Sequence, residues 1–149
     1  MNKVIYFLRK IWPFLITLIL WRLSASFWNP AGILALTTVF FYSFVKPIDW
    51  FPLFSLFICF LIDYRCNLPL FWTIMYCLFY AINGFQNYID AMHMPKDGLY
   101  LFMAFIGFGF FILMFSGLNW VVISNNLWLF IWLSILYTPI TALDKRISR

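Results

Sequence analysis

The residues that could do chemistry gather in one short polar knot, Asp63-Tyr64-Arg65-Cys66-Asn67, followed by Pro69. The knot lies between two apolar runs in the stretch WFPLFSLFICFLIDYRCNLPLFWTIMYCLFY, residues 50–80. The chain has no glutamate, so paired carboxylates for acid–base work would have to come from five aspartates, and only Asp63 is closely flanked by apolar runs on both sides. The other charge within an apolar run is Arg22. A charge near a bilayer centre costs roughly 2.5–3.5 kcal/mol on insertion scales, so such residues turn inward and pair. At about 1.5 Å per residue, Arg22 lies roughly 16 Å and Asp63 roughly 20 Å above the inner ends of their runs. Two arrangements fit this. Arg22 and Asp63 pair, or line one polar cavity open to the outer face; alternatively, Arg22 snorkels outward alone and Asp63 is an interfacial helix end near Arg65.

Asp90 and His93 stand three apart, which puts two ligands on one helix face, but a metal site needs three or four. A solvated loop is the better account of that pair. There is no Gly-x-Ser-x-Gly elbow, Walker loop, His-Glu-x-x-His or aspartate-rich cluster. The sequence thus nominates no catalytic, cofactor-binding or metal-binding residue, and an enzyme is not expected.

The elements that position the knot follow from composition. With 65% hydrophobic and 10% charged residues, the chain is far from a soluble globule, which has about a quarter of its residues charged. It reads as an integral membrane protein in one polytopic domain. A span needs roughly 20 apolar residues, so 149 residues accommodate five or six. The net charge of +5 sits at the ends of apolar runs, where it sets orientation, and a nucleic-acid partner is rejected. Cys59, Cys66 and Cys77 are odd in number and two lie inside apolar runs, which predicts small buried hydrophobes and no disulfide.

The predicted spans are 11–28, 31–45, 50–64, 68–85, 99–115 and 120–141, an all-α bundle of six, with five as the alternative. The first has the outline of a signal peptide but is read as uncleaved, with Pro13 near its start. Asn29-Pro30 and Lys46-Pro47-Ile48-Asp49 punctuate the next. The third run is short unless Asp63 and Tyr64 stay helical and Arg65 snorkels outward. Pro69 suits the first turn of the fourth span. Ser124-Asn125-Asn126, inside the sixth, could mark a re-entrant segment.

With six spans and both termini inside, the inner side holds Lys3, Arg9, Lys10, Lys46, Lys96, Lys145, Arg146 and Arg149, and the outer side Arg65 alone. That asymmetry satisfies the positive-inside rule; five spans would place one terminal basic cluster outside. Trp12, Trp28, Trp50 and Trp120 fall at run ends, as interfacial rings do. Ala31 with Ala35, and Gly107 with Gly109, would let helices approach closely. The 20 phenylalanines read as lipid-facing composition.

The central stretch resembles the MreD family of bacterial rod shape-determining membrane proteins. The elements that carry the likeness are Asn29-Pro30, the aromatic pair Phe41-Tyr42, Pro47 sixteen residues before Asp63, and the turn Asn67-Leu68-Pro69-Leu70-Phe71. It covers about residues 30–80. It implies a non-enzymatic scaffold subunit of the cell-elongation machinery for lateral peptidoglycan synthesis, multi-pass in the bacterial cytoplasmic membrane. The implied partners are MreC and, through it, the MreB filament and the cell-wall synthases, with membrane lipid around the bundle and no cofactor. Residues carried by the resemblance or by their charge are Arg22, Pro30, Pro47, Asp63, Arg65, Asn67 and Pro69. The family has been likened in fold to the substrate-binding subunits of energy-coupling-factor vitamin transporters, six-helix bundles. That likeness supplies the alternative function, a vitamin-binding subunit.

Overall fold

Apolar runs of 11 to 28 residues with few breakers leave the backbone one way to satisfy its polar groups in a lipid environment, which is to bond within each segment as helix. The computed structural model describes residues 2–25, 31–86, 96–115 and 119–147. Among these the chain is helical, without strands: α1 (Asn2–Ser24), α2 (Ala35–Phe40, passing straight into a π-helical stretch Phe41–Val45), α3 (Phe51–Arg65), α4 (Phe71–Gln86), α5 (Lys96–Phe115) and α6 (Trp120–Ile147). Three helical segments, Lys3–Ser24, Gly98–Phe115 and Ile123–Ile147, are long and apolar enough to cross a membrane, which marks a membrane protein.

The shortest helix is the hub. α2 with its π stretch touches each of the other five, and those five neighbour one another in the order α1, α3, α4, α5, α6. Every residue from Gly32 to Phe44 is buried. Small side chains make the crowding feasible. Ala35, Thr37, Thr38 and Ser43 are all buried here, and Thr38 Oγ1 donates to the Ala35 carbonyl 2.9 Å away, so its hydroxyl is satisfied within the helix. Where the helix loosens, the N–H of Lys46 reaches back five residues to the Phe41 carbonyl at 2.9 Å, the bond of a π-turn.

Aromatic rings fill the space around this hub. Phe40 meets Phe79 and Tyr100 edge-on, and Trp72 stacks on Phe111 and tilts against Phe108. Tyr100 stacks on Tyr137 at 4.4 Å and donates its hydroxyl to the Leu133 carbonyl, joining α5 to α6. Eight phenylalanines are buried: Phe40, Phe41, Phe44, Phe51, Phe71, Phe79, Phe108 and Phe111. Among the described residues as many again are exposed, Phe7, Phe57, Phe60, Phe85, Phe102, Phe105, Phe110 and Phe115, so phenylalanine serves packing positions as well as the lipid-facing ones expected. Lipid is as apolar as a protein interior, so helices are held by close packing and ring geometry, and large flat side chains supply both.

Several local expectations change in the same way. α1 starts at Asn2, so Pro13 sits mid-helix rather than near its start; Thr17 Oγ1 donates to the Pro13 carbonyl at 2.7 Å. α4 starts at Phe71, so Pro69 precedes the helix and does not occupy its first turn. α6 runs unbroken through Ser124-Asn125-Asn126, against a re-entrant segment there, and Asn119 caps its start by accepting the Val121 N–H at 3.2 Å. Cys59 is buried, but Cys66 is half-buried and Cys77 exposed, so only the first is the buried hydrophobe expected; all three are free thiols.

Gly32 lies where α1, α2 and α3 converge. Its φ of +87° is in the left-handed region, and a Cβ there would stand 2.5 Å from Cδ1 of Trp21 and 3.3 Å from Ile62. Gly107 approaches Trp72 within 3.1 Å in the same sense, whereas Gly109 faces open space. Gly32→Ala is therefore expected to destabilise the fold by about 2–4 kcal/mol, backbone strain and overpacking together. Gly109→Ala is expected to be neutral or slightly stabilising. Thermal unfolding midpoints of the two variants in the same detergent check the contrast.

Candidate functional site

Asp63 ends α3 and begins α4. Asn67 takes the left-handed conformation (φ 51°) that asparagine tolerates better than most residues, and the chain closes α3 with the two bonds of a Schellman motif. The N–H of Leu68 donates to the Asp63 carbonyl at 2.9 Å, and that of Asn67 to the Tyr64 carbonyl at 3.4 Å. Leu70 (φ 53°) then turns the chain into α4 but carries no side-chain oxygen to cap it. Asp63 supplies that oxygen from seven residues back.

The Asp63 carboxylate is fully buried and accepts three hydrogen bonds: from the N–H of Trp72 on Oδ1 at 3.0 Å, and from the N–H and hydroxyl of Thr73 on Oδ2 at 2.9 and 2.8 Å. Both backbone donors are among the orphan N–H groups of the first turn of α4, and the positive end of the helix dipole favours the negative charge there. A side chain that looked available for chemistry is thus a tertiary helix cap.

Arg22 does not share this site. It is exposed in the last turn of α1 and makes no ion pair with Asp63, whose carboxylate is met by two backbone N–H groups and the Thr73 hydroxyl; the predicted pair is corrected accordingly. Arg65 is exposed in the last turn of α3, its guanidinium carbon 5.4 Å above the Trp21 ring. Cys66 Sγ accepts the Ala31 N–H at 2.9 Å, which ties the α3 turn to the approach to α2. Burial pushes its thiol above the ordinary value, with the Ala31 N–H pulling the other way, so the sulfur stays a neutral thiol at neutral pH. Asn67, Pro69 and Pro47 are exposed. Pro30, Asp90 and His93 lie outside the described residues. No group of three or more His, Cys, Asp or Glu that could hold a metal ion occurs among the described residues.

Open space is found towards the other end of α3. Two adjoining cavities of about 430 and 490 Å³ share Trp50, Pro52 and Tyr80. The first runs between α3 and α4 along Leu53, Leu56, Tyr76 and Cys77; the second is wider and more polar, with Ser43, Asp49 and Asn83 on its walls. Trp50 holds the rim in a left-handed conformation (φ 66°), just before Phe51 and Pro52 start α3. Between the two cavities, Ser43 Oγ lies 2.8 Å from Tyr76 Oη and 3.2 Å from Ser55 Oγ. This buried hydroxyl set ties α2, α3 and α4 together, and it can donate to or accept from a bound polar group.

Sequence reasoning nominated the Asp63 end and passed over Ser43, Ser55 and Tyr76. The available signal was a serine within each of two apolar runs, since a hydroxyl in a membrane-embedded segment must find a partner.

Removing the cap leaves two buried N–H groups without acceptors. Asp63→Ala is expected to cost about 2–4 kcal/mol, more than Asp63→Asn, which keeps one acceptor oxygen. Tyr76→Phe is expected to cost about 1 kcal/mol, since Ser43 and Ser55 still pair. Arg22→Gln is expected to cost nothing measurable. Unfolding midpoints of the four purified variants check the ranking, and an Arg22→Gln loss matching Asp63→Ala would contradict the assignment of the cap.

Compared with known proteins, the chain matches no protein-family model, no curated protein and no solved structure.

Proposed function

We propose that the chain is a non-enzymatic membrane scaffold, a subunit of the bacterial machinery for cell elongation and lateral peptidoglycan synthesis. It sits in the cytoplasmic membrane with both termini inside. The spacing of Pro47, Asp63 and the 67–71 turn, which resembles the MreD family, suggests this class of machinery. The observation that carries the scaffold reading is the lateral surface of α1 and α6. Of the most apolar 18-residue window, 11% is buried in α1 and 22% in α6, against 39% in α5. Two long helices thus offer most of their length sideways to lipid or to a partner's helices. The use of Asp63 as a cap agrees with this, because three hydrogen bonds commit the buried carboxylate to helix geometry.

The alternative, a vitamin-binding transporter subunit, calls for a polar pocket on the outer side. The more polar cavity lies beside Pro47 and Asp49, at the end that the lysine and arginine distribution assigns to the cytoplasm. Scaffold function is therefore preferred.

Crosslinking in native membranes, followed by purification and identification of the captured proteins, tests the proposal. The expected partners are MreC and a peptidoglycan glycosyltransferase and transpeptidase, captured through positions on α1 or α6. Capture of an ATPase pair with a coupling subunit would overturn it.

A further inference from the structure

Cations far apart in the sequence meet at one small cavity. Arg9 comes from α1, Lys46 from the end of the π-helical stretch, and Asp144 and Ile147 from the last turns of α6. With Trp12, Pro13 and Ile48 they line a space of about 250 Å³. Two cations face one carboxylate. Lys46 Nζ donates to Asp144 Oδ2 at 2.8 Å, but its side chain is still 47% exposed and its ammonium has two further N–H groups to give. Arg9 makes no ion pair among the described residues.

Two neutral polar groups of the same stretch of α1 lack partners. The ring N–H of Trp12 is buried without a hydrogen-bond partner. Pro13 has no N–H to offer the Arg9 carbonyl four residues earlier, which leaves that oxygen without its usual helical donor. The cavity thus brings a guanidinium and an ammonium to one small space, with the Arg9 carbonyl in the same stretch of α1. Next to it, α1 exposes an apolar flank, Leu15, Leu18 and Ile19, running toward the middle of the helix. A phosphodiester with a hydroxylated head and acyl chains matches every one of these features, whereas free phosphate leaves the apolar flank uncovered.

We propose that this cavity is a binding site for the headgroup of an anionic glycerophospholipid. The phosphate is held by Arg9 and Lys46, and the acyl chains lie along α1. The charge complementarity is what a basic pocket between membrane helices uses to select anionic lipid. The occupied site would brace α1 against α2 and α6 beside the Lys46–Asp144 ion pair.

The full-length protein in a neutral detergent is titrated with dioleoylphosphatidylglycerol, dioleoylphosphatidylcholine or inorganic phosphate, and binding is read by native mass spectrometry and by the unfolding midpoint. Phosphatidylglycerol is expected to bind at least tenfold more tightly than phosphatidylcholine and to raise the midpoint. Arg9→Gln should weaken it about fivefold, the worth of one basic residue near an anionic lipid. Asp144→Asn should have the opposite sign and tighten binding, because it removes the carboxylate that competes for Lys46. Arg22→Gln, the same charge change near the far end of α1, should leave binding unchanged. Equal binding of the two lipids, an Arg22→Gln loss as large as that of Arg9→Gln, or displacement of the lipid by millimolar phosphate would each overturn the proposal.

Discussion

One carboxylate holds the turn between α3 and α4. In a bilayer, apolar burial gains almost nothing over contact with lipid, so polar groups that can be satisfied in only one geometry fix how helices meet. Asp63 is such a group. Its carbonyl closes α3 by accepting from Leu68, and its carboxylate opens α4 by accepting from Trp72 and Thr73. With both ends of the turn bonded to one residue, the angle between α3 and α4 is set locally. Tyr76 is thereby carried round to meet Ser43 and Ser55.

The central position of α2 follows from residue size. Glycine, alanine, threonine and serine along 32–43 let five helices approach a segment too short to span a bilayer. The aromatic rings then close the space between the outer helices. The π-turn at the end of α2 has a geometric result of its own: it brings Ser43 to the polar cavity and releases Lys46 toward Asp144. One irregularity therefore serves both a buried hydroxyl set and an interhelical ion pair.

Polar features are thus divided between two ends. At the Asp63 end the buried carboxylate is consumed by structure, with Arg65 resting over Trp21 and Cys66 bonded to Ala31. At the Lys46 end, groups remain with capacity to bind: Asp49 and Asn83 on one cavity, Arg9 and Lys46 on another. With that division, the elements that hold the fold and the groups with binding capacity can change independently.

The membrane class, the helical content and the approximate extent of the apolar segments were determined by the sequence alone. Composition and run length limit a chain to helices when no water is available to its backbone. The importance of Asp63 was legible for the same reason, since a buried charge must have a partner. Which partner it takes was not legible. A carboxylate between apolar runs can pair with Arg22 or with the N–H groups of the next helix, and the choice depends on Asn67 and Leu70 entering left-handed conformations that reverse the chain within reach. The meeting of Arg9, Trp12, Lys46 and Asp144, and that of Ser43, Ser55 and Tyr76, likewise belongs to the tertiary structure. Residues up to about 135 positions apart become neighbours only once the helices have packed around α2, and no local pattern encodes that order.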